Sequence, residues 1–378
     1  MRILTAGESH GEYLAVIIEG FPKGVKIEQD FINYELKRRM QGAGRGKRMF
    51  IEDDKIEIVS GLRNKVSLGS PITVLLRNKD VKIFTQNKDD LPLLSIPRPA
   101  HADLAGALKY KEADIRNMLE RASARETVGR VAAGAICKQL LSSFEIDIAS
   151  FTSSVGEAVS LVKPKSVSDI KNKIKNSQLN CIDQVAEKLM LREIEKAESL
   201  KDSLGGIAEI WIDGVPCGLG TFMHFDNRLD AKLSFYHMSI PAIKGVEVGL
   251  GFEYAKKTGS ASHDEIYYTK PKGFYRSTNN SGGIEGGIST GEPIVVRIAM
   301  KPIATLRKPL NSVDVITKKK EKAIVERSDT CAIAACGVIA ESMCAIAITE
   351  SLLDKFGCDT LDEIKASYRN YAKNLDNL

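Results

Sequence analysis

Aromatic side chains are scarce: they make up 6% of the 378 residues, with a single tryptophan. A surface built on rows of stacked aromatics, as single-stranded nucleic-acid binders use, is therefore not expected. Charge of one sign is also missing. Lys plus Arg exceed Asp plus Glu by 54 − 49 = 5, too little for a polycationic coat, although a local basic site remains open. The seven cysteines (Cys137, Cys181, Cys217, Cys331, Cys336, Cys344 and Cys358) are odd in number and dispersed. With no C-x-x-C pair and no histidine at ligand spacing, they indicate neither a disulfide framework nor a zinc site. They read as small core residues kept reduced in a cytosol. Only five histidines occur, none in an H-E-x-x-H pattern or a three-histidine spacing, so no metal is expected. No G-x-G-x-x-G follows a strand, which argues against a dinucleotide-binding fold. The opening MRILTAGESHGE holds no continuous apolar run of the kind a secretory signal needs, so export is not expected.

What is present suits a folded protein: 43% hydrophobic and 27% charged residues, enough to bury large cores. Length alone allows two or three domains of about 150 residues. β-Branched stretches at Lys55 to Ser60, Ile72 to Leu76, Ile207 to Ile212 and Ile294 to Ile298 are bounded by Gly, Pro or Asn and predict strands. Ala-rich apolar stretches at Arg121 to Leu141 and Thr330 to Leu353 predict helices buried on most sides. The second is long enough to be weighed as a membrane span, but Glu341 and its small residues favour a soluble core. From about 162 to 202 the composition turns polar, with apolar residues at helical spacing in Val185 to Leu200, which predicts a solvent-exposed helical excursion. A weak internal echo runs through the chain. Gly69-Ser-Pro-Ile-Thr-Val74 and Gly291-Glu-Pro-Ile-Val-Val296 share G-x-P-I-x-V, each followed later by an Arg-containing turn and an Ala/Gly-rich helix. Two similar α+β halves would produce this echo, and so would chance.

Several segments suit anions. Lys37 to Arg48 (KRRMQGAGRGKR) carries six basic residues, three glycines and no acid. Glycines admit close backbone approach, and the arginine fork matches carboxylate and phosphate oxygens. The same run could touch an RNA backbone. It is not a Walker A loop, because Gly46-Lys47 is followed by Arg48 rather than Ser or Thr. The glycine-rich run Asn279 to Gly291 could lie against a planar or phosphorylated ligand, or form a surface hairpin. Lys301-Pro-Ile-Ala-Thr305 could contact phosphate or simply end a strand. His10 lies between glycines in Gly7-Glu-Ser-His-Gly11 after a short opening strand, and His101 lies in Pro97-Arg-Pro-Ala-His-Ala-Asp103. Either could move a proton near neutral pH, and constrained loops often carry sites. His224, His237 and His263 read as structural. In Val325 to Cys331, Ser328, Asp329 or Thr330 could cap the following helix, whereas Arg327 at a helix start opposes the macrodipole and could instead hold an anion.

In order along the chain, these residues resemble the chorismate synthase family: Gly7-Glu-Ser-His-Gly11, Arg38-Arg39 with Gly44-Arg45, Ser60-Gly61, Arg98-Pro with His101-Ala-Asp103, Arg121-Ala-Ser-Ala-Arg-Glu126, Met238-Ser-Ile-Pro-Ala242 with Lys244-Gly-Val-Glu247, Gly282-Gly-Ile-Glu-Gly-Gly-Ile288, and Lys301-Pro302. The resemblance implies one chorismate synthase-like domain over residues 1–378, an α+β fold with helices sandwiched between antiparallel sheets, and a cytoplasmic homotetramer. It implies an anti 1,4-elimination of phosphate from 5-enolpyruvylshikimate 3-phosphate to give chorismate, dependent on reduced FMN. It assigns His10, His101 and Asp329 to proton handling. It places FMN against Arg121, Ala122, Ser123, Pro241, Ala242, Gly286, Lys301, Pro302, Ile303, Ala304, Thr305 and Arg327. Arg39, Arg45, Arg48 and Arg125 are expected to meet substrate anions. Arg39 and Arg45 could also meet NADPH, as an indirect reductant, with a separate flavin reductase supplying the reduced cofactor. No nucleic acid or membrane partner is implied. Where the family commonly reads Arg-His-Asp-Pro-Cys, this chain has Arg327-Ser-Asp-Thr-Cys331, which removes a titratable ring beside Asp329. Lys318 to Lys322 is expected to be a mobile exposed loop.

Overall fold

The computed structural model describes residues 1–46, 53–81, 92–270, 272–325 and 328–375. The first half runs β1 (Arg2–Ala6), β2 (Tyr13–Glu19), α1 (Gln29–Met40), β3 (Ile56–Ser60), β4 (Ile72–Arg77), α2 (Asp103–Tyr110), α3 (Arg116–Ala122) and α4 (Thr127–Ser142). The second runs β5 (Asp147–Val155), α5 (Val167–Lys173), α6 (Gln184–Ser199), β6 (Gly206–Asp213), α7 (Leu229–Met238), β7 (Ile243–Val248), β8 (Ile294–Met300), α8 (Ile333–Phe356) and α9 (Leu361–Leu375). Two main antiparallel sheets result, beside short two-stranded hairpins. One has the order β1-β2-β4-β3 and the other β5-β6-β8-β7, with the short strand Ala158–Val159 added beside β5.

The two sheets thus share one connectivity, first-second-fourth-third. The G-x-P-I-x-V segments lead into the corresponding strands β4 and β8, and each half ends in a long buried helix, α4 or α8. The echo is therefore structural. Alternation along β2 and β8 sends Leu14, Val16, Ile18, Ile294, Val296 and Ile298 into the core, as a one-sided sheet requires. Helices α4 and α8 pack on one another between the sheets, α4 against β2 and α8 against β5 and β6. Their closest approach depends on Gly134, where a Cβ would stand 2.3 Å from the Ser342 Cβ. Of the most apolar 18-residue window in α8, 94% is buried within the protein, which accounts for its hydropathy without a bilayer.

Three expectations are corrected. The predicted helix from Arg121 to Leu141 is broken at Ser123, whose extended backbone and Oγ, accepting from the Arg125 amide at 3.3 Å, separate α3 from α4. The excursion at 162–202 does form helices, but their inner faces are buried. Val167 and Ile170 cover Ala149 and Phe151 on the outer face of β5, and Met190 and Ile194 join the main core. Residues 320–322 pair with 311–313 in an exposed hairpin rather than an open loop. Five cysteines are buried as expected, whereas Cys217 and Cys358 are exposed, and all seven are free thiols.

Candidate active site

The loop between β1 and β2 presents His10. Gly7 adopts φ +101°, and a Cβ there would stand 2.3 Å from the Tyr13 carbonyl oxygen, so glycine is required at the turn. The Asn78 amide, just after β4, donates to the Glu8 and Gly11 carbonyls at 3.3 and 2.6 Å. Glu120 of α3 grips the other side. Its carbonyl accepts from the Ser9 amide at 3.1 Å, its Oε2 from the His10 amide at 2.8 Å, and its Oε1 lies 2.7 Å from His10 Nδ1. Ser9 Oγ donates to Ser123 Oγ at 3.1 Å, and Arg121 donates to the Gly7 and Thr5 carbonyls, both at 2.9 Å. The break at Ser123 therefore ties α3 to the histidine loop.

From Asn78 a chain of ionic contacts runs inward. Arg125 Nε donates to Asn78 Oδ1 at 2.9 Å, and Arg125 Nη1 lies 2.6 Å from Asp54 Oδ1. Arg39 Nη1 lies 3.7 Å from Asp54 Oδ2, while its other nitrogens donate to Thr127 Oγ1 at 3.1 Å and the Ala124 carbonyl at 2.9 Å. Arg45 pairs with Asp329 at 3.0 Å, and the Gly46 amide donates to Asp329 Oδ1 at 2.6 Å. Burial pushes the Arg39 guanidinium down to about 10, with Asp54 opposing this and the Arg45 and Arg125 cations reinforcing it. Arg39 Nη1 is buried without a hydrogen-bond acceptor. Among the described residues, three guanidinium groups and two carboxylates meet at this place.

A second cluster surrounds His101. Its Nδ1 lies 2.5 Å from Asp103 Oδ1, and Asp103 also accepts from the Arg98 amide, Nε and Nη2 at 3.0, 2.8 and 3.1 Å. Burial raises the Asp103 carboxyl, but these donors more than offset that and hold it well below the usual carboxylate range. Arg98 Nη1 donates to Thr305 Oγ1 at 2.9 Å, and the Thr305 carbonyl accepts from Ser328 Oγ at 2.9 Å, next to Asp329. One run of contacts thus leads from the His10 loop through Arg125 and Asp54 to Arg39, another from the His101 loop through Arg98, Thr305, Ser328 and Asp329 to Arg45, and the two form one polar lattice where the Arg45 and Asp329 charges act on Arg39. Lys301 Nζ donates to the Ala100 carbonyl, and the Lys301 amide donates to the carbonyl of Ala242, a residue at φ +72° beside Pro241. Burial and the nearby Lys244 lower the Lys301 ammonium. Pro302, Ile303 and Ala304 join Lys301 to Thr305, with the Ile303 carbonyl accepting from Ser203 Oγ at 2.8 Å.

Beside His101 a cavity of about 890 Å³ opens between α2 and residues 311–318, with Arg98, Leu104, Leu108, Val313 and Val315 in its wall. His10, Arg39, Arg45 and Arg125 do not line it. The charge lattice rather than this hollow defines the chemistry, because it holds the groups able to stabilise anions.

Most of the anticipated residues converge on this lattice or its margins. Gly286 does not. It turns the 284–289 hairpin, whose neighbours are Arg228 and Leu229. Arg48 and Arg327 lie outside the described residues. The capping explanation for Ser328, Asp329 and Thr330 fails. α8 begins at Ile333 with Ala332 before it, while Ser328 and Asp329 serve Thr305, Gly46 and Arg45. Arg38, Arg39 and Arg45 face inward, with side chains only 17, 5 and 10% exposed, which takes these three away from an RNA backbone. Among the described residues no group of three or more His, Cys, Asp or Glu is placed to hold a metal.

Asp54, Asn78 and Glu120 were not anticipated. Buried arginines require counter-charges, so carboxylates had to be present, but nothing in the one-dimensional pattern says which. A second buried cluster was also missed. Glu341 in α8 accepts from Arg38 twice at 2.7 Å, from Lys138 at 2.6 Å and from the Ser150 amide and hydroxyl at 2.9 and 2.8 Å. It anchors the end of α1 from which Arg39 extends.

The family model described as chorismate synthase matches residues 1–353. A protein named chorismate synthase 2 from Bacillus cereus is 48% identical over 388 residues, covering 99% of this chain and all of that one. A chorismate synthase from Thermoanaerobacter pseudethanolicus is 49% identical over 371 residues, covering 98% of each. A chorismate synthase crystal structure superposes with a TM-score of 0.82 at 38% identity, covering 100% of this chain and 98% of that one. With near-complete coverage in sequence and in fold, the chain belongs to the chorismate synthase family, lyases of the shikimate pathway that leads to the aromatic amino acids.

Proposed function

We propose that the chain converts 5-enolpyruvylshikimate 3-phosphate to chorismate by anti 1,4-elimination of phosphate, with reduced FMN as the form of the flavin on which this family depends. The observation that carries this reading is the convergence of three inward-facing guanidinium groups in the lattice. Arg39, Arg45 and Arg125 share Asp54 and Asp329, and Arg39 sits buried with its guanidinium pushed down to about 10. A bound polyanion relieves that cost. Each charge-assisted hydrogen bond to a substrate carboxylate or phosphate contributes about 1.5–3 kcal/mol. The donor set also fits a flavin phosphate and polar ring edge, with Arg121, Ala122, Ser123, Pro241, Ala242, Lys301 to Thr305 and Arg327 holding the cofactor. Gly286, remote from the lattice within one protomer, would be supplied by a neighbouring subunit.

The arginines neutralise the leaving phosphate as its charge grows, which lowers the barrier to C–O cleavage. Reduced FMN, when bound, supplies electron density for the allylic system and a ring nitrogen able to accept a proton. His101 donates a hydrogen bond or proton to the departing phosphate. His10 holds a proton near the flavin, and Asp329 moves one at its carboxylate while Arg45 keeps it oriented. Arg48 adds a further cation for the substrate, and Arg39 and Arg45 would meet the phosphate of NADPH should that indirect reductant bind.

We place the protein in the cytoplasm as a homotetramer, with reduced flavin delivered by a separate flavin reductase. Exposed apolar side chains such as Phe252, Phe235 and Phe274, 76, 69 and 65% exposed, support assembly. Anaerobic mixing with chemically reduced FMN and the enolpyruvyl substrate tests the reaction. Stoichiometric phosphate release with chorismate formation is expected. Its absence with reduced flavin in excess would reject the reading.

A further inference from the structure

The His10 loop is held by a carboxylate that none of the roles above employs. Glu120 is 2% exposed and meets two donors from one residue, the His10 backbone amide at Oε2 (2.8 Å) and the ring Nδ1 at Oε1 (2.7 Å). A carboxylate accepts and does not donate. Both oxygens are engaged, so Nδ1 must carry the hydrogen, and in the neutral ring Nε2 is left with its lone pair. That nitrogen looks away from Glu120, and among the described residues Asp80 Oδ2 lies 4.0 Å from it. His101 Nδ1 likewise lies beside buried Asp103, but Arg98 Nη2 also stands 3.1 Å from it, so the His10 arrangement is not repeated there.

We propose that Glu120 is a positioning residue that fixes His10 in the Nδ1–H tautomer, so that Nε2 is the nitrogen free to exchange a proton in the reaction. The inference rests on the proton-handling role given to His10, but its structural half can be tested without that role. The geometry makes Glu120→Gln informative. The His10 backbone amide can only donate, so the new amide must turn its oxygen toward it. The amide NH₂ then faces Nδ1 and donates to it, and the hydrogen of the neutral ring moves to Nε2.

The test is ¹⁵N solid-state NMR of the full-length protein labelled at histidine, at a pH where the rings are neutral. Only five histidines contribute, and the spectrum of His10→Gln identifies the His10 signals. Wild type should show a pyrrole-like Nδ1 and a pyridine-like Nε2, and Glu120→Gln should show the reverse. A wild-type spectrum with the hydrogen on Nε2 overturns the proposal even if the variant does not fold. So does a variant that keeps the wild-type pattern.

Turnover in the anaerobic assay separates this inference from the role of His10. With the tautomer reversed, turnover should fall at least about tenfold, within the roughly 10⁴-fold that a wrong tautomer costs a serine-hydrolase triad. A reversed tautomer with undiminished turnover would uphold the positioning by Glu120 and reject proton handling by His10. An unchanged tautomer with lost turnover would reject the positioning by Glu120 and assign the loss to another effect of the substitution.

Discussion

Replacing Asp54 by asparagine removes one negative charge and almost no volume from the centre of the lattice. In the wild type its carboxylate lies 2.6 Å from Arg125 and 3.7 Å from Arg39, with both side chains and its own 5% exposed or less. After the change two buried guanidinium groups face a neutral amide, and Asp329, the lattice's other carboxylate among the described residues, already binds Arg45 and the Gly46 amide. Leaving a buried charge uncompensated typically costs about 3–5 kcal/mol. At roughly 2–4 °C per kcal/mol for domains of 150–250 residues, and less for a longer chain, the melting temperature should fall by about 5–10 °C. The distinguishing expectation concerns anions. Inorganic pyrophosphate, which can supply the lost charge, should raise the melting temperature of Asp54→Asn more than that of wild type. Differential scanning fluorimetry over a pyrophosphate series at constant ionic strength measures both effects. An unchanged melting temperature, or a pyrophosphate response no larger than that of wild type, would refute the view that Asp54 balances Arg39 and Arg125 in a site built for anions.

Other outcomes follow from the same contacts. His101→Ala should lower turnover by about 10²-fold, the usual cost of losing a general acid, while leaving FMN affinity by fluorescence titration unchanged; wild-type turnover would remove His101 from the reaction. Arg45→Ala should chiefly raise the substrate concentration needed for half-maximal rate, and an unchanged requirement would count against its part in the anion clamp. Glu341 is fully buried. Burial raises its carboxyl, yet Arg38 and Lys138 outweigh that and hold it well below the ordinary 4.5. A group depressed by folding contributes fully above its unfolded value and loses that contribution as pH falls from about 4.5 toward the folded value. Urea denaturation should therefore show wild-type stability dropping below pH 4.5. Glu341→Gln should be less stable by about 3–5 kcal/mol at pH 7, and should show less of that acid dependence.

The strands at 56–60, 72–77, 206–213 and 294–300 were legible because alternating β-branched residues between Gly and Pro have few other folds available. The paired G-x-P-I-x-V segments were legible as an echo, but their meaning emerges only when β4 and β8 occupy equivalent places in two sheets. His10 and His101 stood out through their constrained loops, and the arginines through their density. The carboxylates did not stand out. Asp54 looks like any acid in Glu52-Asp-Asp-Lys55, and Glu120 like any surface residue of a helix, because the contacts that matter, Asp54 with Arg39 and Arg125 and Glu120 with His10, join separate elements of the chain. The break at Ser123 was hidden for the same reason: helix propensity around it is high, and the polar contacts that favour an extended residue there come from Ser9 and from its own downstream amide. Amphipathic spacing in α6 gave its helix but not its burial, since the partner face on β5 and the strand Ala158–Val159 is supplied by other parts of the chain.

A structure of the protein with oxidised FMN and 5-enolpyruvylshikimate 3-phosphate bound is the most direct test of the lattice as the reaction centre. The account predicts the substrate phosphate within hydrogen-bond distance of His101, substrate anions on Arg39, Arg45 or Arg125, and the flavin ring between the His10 and His101 loops. Both ligands seated away from these side chains, with the Arg39–Asp54–Arg125 contacts unaltered, would contradict it.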